Sequence, residues 1–162
     1  MAEFDSRMLR DAMGYFCTGV VIVTGVVDGV PSGFAAQSFV SVSLDPPMIA
    51  VCPGKSSASW PKLRDSGSFC VNILAADQKD VCDVMARSGL DKFENVVWRG
   101  GVTGSPVIAD VLGFIDCDLV AEHDAGDHTI ALGRVRDFRI EDQTRGPLLF
   151  FRGGYGSFDS FS

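Results

Sequence analysis

The stretch Gly33-Phe34-Ala35-Ala36-Gln37-Ser38-Phe39-Val40-Ser41-Val42-Ser43-Leu44-Asp45-Pro46-Pro47 decides how the chain is read. It opens on Gly and small residues, then alternates Phe39, Ser41 and Ser43 against Val40, Val42 and Leu44 before a Pro-Pro stop. Period-two alternation marks a strand, here with one apolar and one hydroxyl-bearing face. The small residues at its start let a flat ligand approach the backbone, and the serine hydroxyls suit a polyol or phosphate tail. An ordinary half-exposed barrel strand with solvent-facing serines fits the same pattern, so the neighbouring segments carry the decision.

Upstream, Val20-Val21-Ile22-Val23-Thr24-Gly25-Val26-Val27 is a β-branched run ending at Asp28-Gly29. It predicts a first strand, buried on both faces, that forms a hairpin with the opening stretch around an Asp-Gly turn. Downstream, the apolar strand Met48-Ile49-Ala50-Val51-Cys52 runs into Pro53-Gly54-Lys55-Ser56-Ser57-Ala58-Ser59-Trp60. Gly54-Lys55-Ser56 resembles the tail of a phosphate loop, but Ile49 stands where that motif needs its first glycine. What survives is a hydroxyl-rich strand-to-helix junction. Ser57 or Ser59 caps a helix holding Trp60, Leu63 and Arg64, whose free N–H groups suit a phosphate; capping without any ligand is the alternative.

Further out, Asp5 or Ser6 caps a first helix with Met8, Leu9, Ala12, Met13 and Phe16 at helical spacing. Ser68 to Leu74 reads as a fourth strand, and Asp77 as the cap of a helix with Val81, Val84 and Met85 on one face, ending near Ser88-Gly89. Asp91 to Gly101 has no clear period and reads as a long surface excursion. Leu112 to Glu122 and Thr129 to Phe138 form a long hairpin around His123-Asp124-Ala125-Gly126-Asp127-His128, and a last strand, Pro147 to Arg152, meets Gly153-Gly154-Tyr155. Seven or so strands with a few short helices predict a mainly β protein, a barrel decorated by helices.

With 162 residues and 46% hydrophobic content, the chain suits one domain over residues 1–162. A net charge of −7 opposes general attraction to nucleic acid or to an anionic membrane surface. No apolar run reaches the roughly 18 residues of a membrane span, and Met1-Ala2-Glu3-Phe4-Asp5 lacks the order of a signal peptide. The expected location is cytoplasmic. Cys17, Cys52, Cys70, Cys82 and Cys117 are odd in number, widely spaced and free of C-x-x-C pairs, so buried free thiols are expected rather than disulfides or a zinc site.

The motifs Phe16 to Thr24, Gly33 to Pro47, Cys52 to Trp60, Phe69-Cys70-Val71-Asn72-Ile73-Leu74, Gly126-Asp127-His128-Thr129-Ile130, Gly133-Arg134-Val135 and Pro147 to Tyr155 span nearly the whole chain. In this order they resemble the short-chain flavin reductases, members of the flavin-binding split-barrel family. Cys52-Pro53, Ser59-Trp60 and Gln78-Lys79-Asp80-Val81 look most like the reductase components of two-component aromatic hydroxylases, including those acting on the phenolic ring of steroid breakdown products. The resemblance implies an FMN-binding type of split barrel with Greek-key-like connections. It also implies a homodimer with the site near the subunit interface, and an enzyme that reduces FMN or FAD with NADH. The reduced flavin would then diffuse to a separate flavin-dependent monooxygenase.

On the same resemblance, Phe34, Ala35, Ala36, Gln37, Ser38 and Phe39 line the isoalloxazine ring. Ser41, Val42, Ser43, Cys52, Pro53, Gly54, Ser57, Ser59 and Trp60 hold the ribityl and phosphate groups. Gly126-Asp127-His128 with Arg152, Gly153, Gly154 and Tyr155 borders the nicotinamide. Many relatives carry Thr or Ser at the place of Ala35 and Asn at that of Gln37. No catalytic side chain is assigned, because hydride transfer needs two stacked rings more than it needs acid–base chemistry. His128 is the candidate for hydride-donor binding; a solvated turn residue is the alternative. The spacing of His123, Asp124, Asp127 and His128 is poor for a metal site. Two other classes stay open: a non-enzymatic split barrel that stores flavin or binds haem, and a small nucleic-acid-binding barrel, which the acidic charge opposes.

Overall fold

A computed structural model describes residues 5–89 and 91–160; Met1 to Phe4, read above for a targeting signal, lie outside the described residues. In chain order the elements are α1 (Ser6–Met13), β1 (Thr18–Gly19), β2 (Val21–Val27), β3 (Val30–Ala36), β4 (Phe39–Leu44), β5 (Pro47–Val51), α2 (Trp60–Ser66), β6 (Ser68–Ile73), α3 (Lys79–Ala86), β7 (Trp98–Gly100), β8 (Pro106–Ile108), β9 (Gly113–Ala125), β10 (His128–Ile140), β11 (Leu148–Phe151) and β12 (Gly154–Ser157).

The Asp28-Gly29 hairpin is present: β2 and β3 pair antiparallel with Val27 opposite Val30. Both turn residues take positive φ, 51° and 78°, the backbone that a two-residue hairpin needs and that Asp and Gly adopt at little cost. The stretch from Gly33 to Pro47 is not one strand, however. It breaks at Gln37-Ser38, and the halves go to opposite edges of a seven-stranded sheet of order β3-β2-β6-β9-β10-β5-β4.

That break dictates the shape. From Ala36 to Phe39 the chain takes three steps, which reach at most roughly 11 Å, so the sheet must curl until its two edges almost meet. Among the described residues β3 and β4 share no ladder, which leaves the barrel split along this seam. Ser38 pins the crossover: its Oγ accepts from Cys52 N at 2.9 Å and donates to Cys52 O at 3.3 Å.

β2 is buried on both faces, as its composition predicts. Val21 and Val23 face the barrel interior with Ile49, Val51, Phe69, Val71 and Ala131, and Trp60 and Leu63 of α2 plug that interior. Val20 and Ile22 face the other way, onto Cys82 and Met85 of α3 and Leu148 of β11. Asn72, fully buried, binds this double layer together: its Nδ2 donates to Ile22 O, Thr24 Oγ1 and Pro106 O, and its Oδ1 accepts from Ile108 N. Gly133 marks a close approach, since a Cβ there would lie 2.6 Å from Phe69 Cζ and 3.0 Å from Cys117 Cβ.

Several local expectations are corrected. Asp77 does not cap α3; Gln78 occupies the N-cap without a side-chain bond, and Asp77 pairs with Arg145. The excursion at 91–101 contains β7, which pairs with β8. The expected six-residue turn at 123–128 is a two-residue turn, Gly126-Asp127, because β9 runs to Ala125 and pairs it with His128. Gly153-Gly154-Tyr155 leads into a further strand, β12, which joins β11 and β1 in a separate three-stranded sheet. The apolar face of β4 does not look inward: Val40, Val42 and Leu44 are exposed, and so are Met8, Leu9 and Met13 of α1 and Phe16 just beyond it.

Candidate functional site

The junction after β5 is held from beneath. Ser57 N donates to Gly54 O at 3.0 Å, closing a turn. Ser57 Oγ accepts from Trp60 N at 3.1 Å and Ser59 N at 3.3 Å, so Ser57 is the side chain that caps α2. Its hydroxyl proton stays available to a ligand. Ser59 is 7% exposed and donates inward to Gly33 O at 2.9 Å. Trp60 is also interior: Nε1 donates to Glu122 Oε1 at 2.7 Å, and the rings of Phe34 and Phe69 meet it edge-on at 6.2 and 6.0 Å. Thus Ser59, Trp60 and Phe34 support the junction, while Gly54, Ser56 and Ser57 form its accessible rim.

The β9–β10 hairpin closes onto this rim. Lys55 N donates to Asp127 O at 2.9 Å and Thr129 N to Pro53 O at 3.0 Å, which places Gly54 opposite His128 as in a short ladder. A Cβ on Gly54 would lie 3.6 Å from His128 Nε2. The other ring nitrogen, Nδ1, is 2.7 Å from Asp127 Oδ1. That hydrogen bond, and then the charge on the ring, hold the Asp127 carboxyl below the usual range. A neutral ring bonded this way keeps its proton on Nδ1 and presents Nε2 toward the junction. Lys55 Nζ forms an ion pair with Asp124 of the same hairpin. Thr129 Oγ1 is buried beside these bonds without a hydrogen-bond partner.

The other expected residues gather at a different place. Ala35, Ala36 and Gln37 border a cavity of about 200 Å³ with Val20, Cys82, Ala86, Phe150 and Tyr155. Gln37 and Phe39 border a second one, of about 330 Å³, against Phe16 to Val21 and Leu148. Gln37 Oε1 accepts from Thr18 Oγ1 at 3.1 Å. Tyr155 Oη lies 3.4 Å from Cys82 Sγ, and Lys79 Nζ lies 4.9 Å above its ring. The bond to Cys82, then burial, push the Tyr155 hydroxyl up to about 12. Arg152 and Gly153 form the β11–β12 turn at φ 49° and 79°; Arg152 N donates to Gly14 O at 2.9 Å, and its guanidinium lies 4.7 Å over Tyr15.

Sequence reasoning therefore named residues that fall into two groups. One surrounds Gly54 and His128; the other surrounds Ala35 to Gln37 and Tyr155. Ser41 and Val42 are exposed on β4, with Ser43 half-buried. The sequence reading gave no ligand-contact role to Cys82, Asp124 or Thr129: the packing of α3 sets Cys82 against Tyr155, and the docking of the β9–β10 hairpin on the junction sets Asp124 and Thr129 beside Lys55 and Pro53.

The residues present fit a flavin nucleotide. Ser57 has a hydroxyl proton free to donate, two residues after Lys55, Thr129 Oγ1 lacks a partner beside the same loop, and the small side chains of Ala35 and Ala36 border an open cavity. The chain belongs to the flavin reductase-like domain family, whose model matches residues 13–159.

Among its relatives is the reductase subunit HsaB of a flavin-dependent monooxygenase from Rhodococcus jostii (strain RHA1), 46% identical over 151 residues, 93% of this chain and 77% of the relative. A crystal structure of a nitrilotriacetate monooxygenase component B homolog from Mycobacterium thermoresistibile superposes with a TM-score of 0.92 at 44% identity, over 96% of this chain and 87% of that one. The NADH:FAD oxidoreductase SgcE6 of Streptomyces globisporus C-1027, in complex with NAD and FAD fragments, matches with a TM-score of 0.90 at 34% identity over 98% of each chain.

Proposed function

We propose that this protein is an NADH-dependent flavin reductase that supplies reduced FMN or FAD to a separate flavin-dependent monooxygenase, in the breakdown of an aromatic or steroid ring. The flavin, when bound, accepts a hydride from the nicotinamide. The chain's own task is then to bind and orient. Ser57 donates its hydroxyl to the phosphate, Gly54 lets the tail lie close to the backbone, and Ala35 and Ala36 leave room for the flat ring. His128 meets the hydride donor at the hairpin mouth, and Arg152 to Tyr155 border the nicotinamide. The observation that carries the reading is the pair of backbone bonds, Lys55 N to Asp127 O and Thr129 N to Pro53 O, which make the junction and the His128 hairpin one unit.

The protein works as a homodimer in the cytoplasm. The uncovered apolar faces of α1 and β4 support the dimer, because an isolated chain gains nothing from exposing Leu44 at 88% and Phe16 at 77%. Burial of α1 on a second copy also brings Tyr15, and with it the Arg152 turn, to the interface. The five free thiols suit a reducing compartment.

Steady-state assays on flavin-free protein test this reading. NADH is oxidised only when free FMN or FAD is added, and NADPH is the poorer donor. Oxidation of NADH at the same rate without flavin sinks the diffusible-flavin reading; tight flavin binding with no NADH oxidation points to a storage protein.

A further inference from the structure

The Lys55–Asp124 ion pair has no part in the binding scheme above, yet it stands at the junction's rim. Lys55 starts from a fixed point. Its backbone N–H is bonded to Asp127 O, and Pro53 and Gly54 on its N-terminal side are tied to Thr129 and His128. Its side chain is 44% exposed and that of Asp124 is 81% exposed. An ion pair this open to water is weak, and either partner leaves it without a desolvation penalty.

Charge makes the exchange useful. The chain carries −7 overall, and three carboxylates, those of Glu122, Asp124 and Asp127, come from the hairpin that faces the junction. An anion arriving at Gly54 to Ser57 meets a locally acidic surface and needs a cation. Lys55 is the lysine of that loop, two residues before the Ser57 hydroxyl. The Asp124 carboxylate, once released, remains in solvent, whereas a phosphate gains a charge-assisted bond from the ammonium.

We propose that Lys55 is a specificity-determining residue whose ammonium exchanges between Asp124 and the phosphate of an incoming flavin nucleotide, so that Asp124 sets how strongly phosphorylated flavins are preferred over riboflavin. The inference rests on the placement of the flavin phosphate at the Gly54–Ser57 junction. Asp124 competes with the ligand for Lys55, and its neutralisation tightens FMN without touching riboflavin.

The test is a set of titrations of full-length protein with FMN and with riboflavin, read by quenching of flavin fluorescence. Asp124→Asn tightens FMN about two- to fivefold, the reach of an exposed ion pair, and leaves riboflavin unchanged. Lys55→Gln weakens FMN several-fold, Lys55→Arg restores it, and in the Lys55→Gln background Asp124→Asn no longer has an effect. If the wild type prefers FMN, Ser57→Ala removes the preference and the Lys55 and Asp124 variants change nothing, the phosphate placement stands and the exchange is overturned. If the wild type binds FMN and riboflavin equally, the placement itself fails and the exchange falls with it. Equal shifts for both flavins in Asp124→Asn also overturn the proposal, because they trace to the hairpin rather than to phosphate.

Discussion

Ser57 and Ser59 separate a hydroxyl proposed to meet the ligand from one that is structural. Ser59 is buried and its hydroxyl donates to Gly33 O, a carbonyl that also receives Lys92 Nζ at 3.0 Å. In Ser59→Ala that carbonyl keeps its second donor, so the loss is that of one neutral hydrogen bond, about 1 kcal/mol. In a chain of this length that lowers the melting temperature by about 2–4 °C. Ser57 caps α2 through Trp60 N and Ser59 N, so Ser57→Ala costs about 0.5–2 kcal/mol of stability.

With the flavin phosphate placed as proposed, Ser57→Ala also removes a donor to a charged group, about 1.5–3 kcal/mol, which weakens FMN roughly 10- to 150-fold while riboflavin keeps its affinity. Thermal melts paired with flavin titrations read both effects. A change in the FMN-to-riboflavin ratio in Ser59→Ala, or an equal loss for both flavins in Ser57→Ala, refutes the assignment of the two serines.

Three other outcomes are expected. His128→Ala raises the KM for NADH with little change in flavin Kd or kcat; unchanged NADH kinetics with a normal circular dichroism spectrum would make His128 a turn residue. Gly133→Ala forces a Cβ against Phe69 and Cys117 in the interior and costs about 1–3 kcal/mol in urea denaturation; a neutral result contradicts the tight packing of β10 on β9. Asp142 accepts from the Thr144 hydroxyl and N–H and from Arg145, which hold its carboxyl well below the usual range. Its folded pKa lies under its unfolded value of about 3.9. The stability it contributes is therefore present above about pH 4 and lost as pH falls through the folded pKa. Asp142→Asn is less stable than the wild type at neutral pH, and the difference fades in acid; a constant difference across pH refutes the bonding role.

What the sequence made legible was local. The Asp28-Gly29 hairpin, the doubly buried β2 and the strand-to-helix junction all follow from residues within a few positions of one another, and the family resemblance came from the same motifs. The split of Gly33 to Pro47 was not legible, since Gln37-Ser38 carries no Gly or Pro, and its cause is the closure of a seven-stranded sheet. Periodicity correctly marked an apolar stripe on α1 but could not say that it is uncovered in the single chain. Either Ser57 or Ser59 satisfies the capping pattern; Gly33, far away in sequence, decides between them by taking the Ser59 hydroxyl. The meeting of Gly54 with His128 depends on β5 pairing with β10, which no local spacing encodes.

As a flavin reductase, this barrel brings a nicotinamide and a flavin together for hydride transfer and then lets the flavin go. An anaerobic stopped-flow experiment measures it most directly, mixing flavin-free protein and excess FMN or FAD with NADH and following both chromophores. NADH is consumed and flavin bleached at one rate, one for one, through many turnovers of flavin per protein chain, and the reduced flavin is recovered in the filtrate of a membrane that retains the protein. Bleaching that stops after one flavin per chain, or NADH loss that does not depend on added flavin, would contradict it.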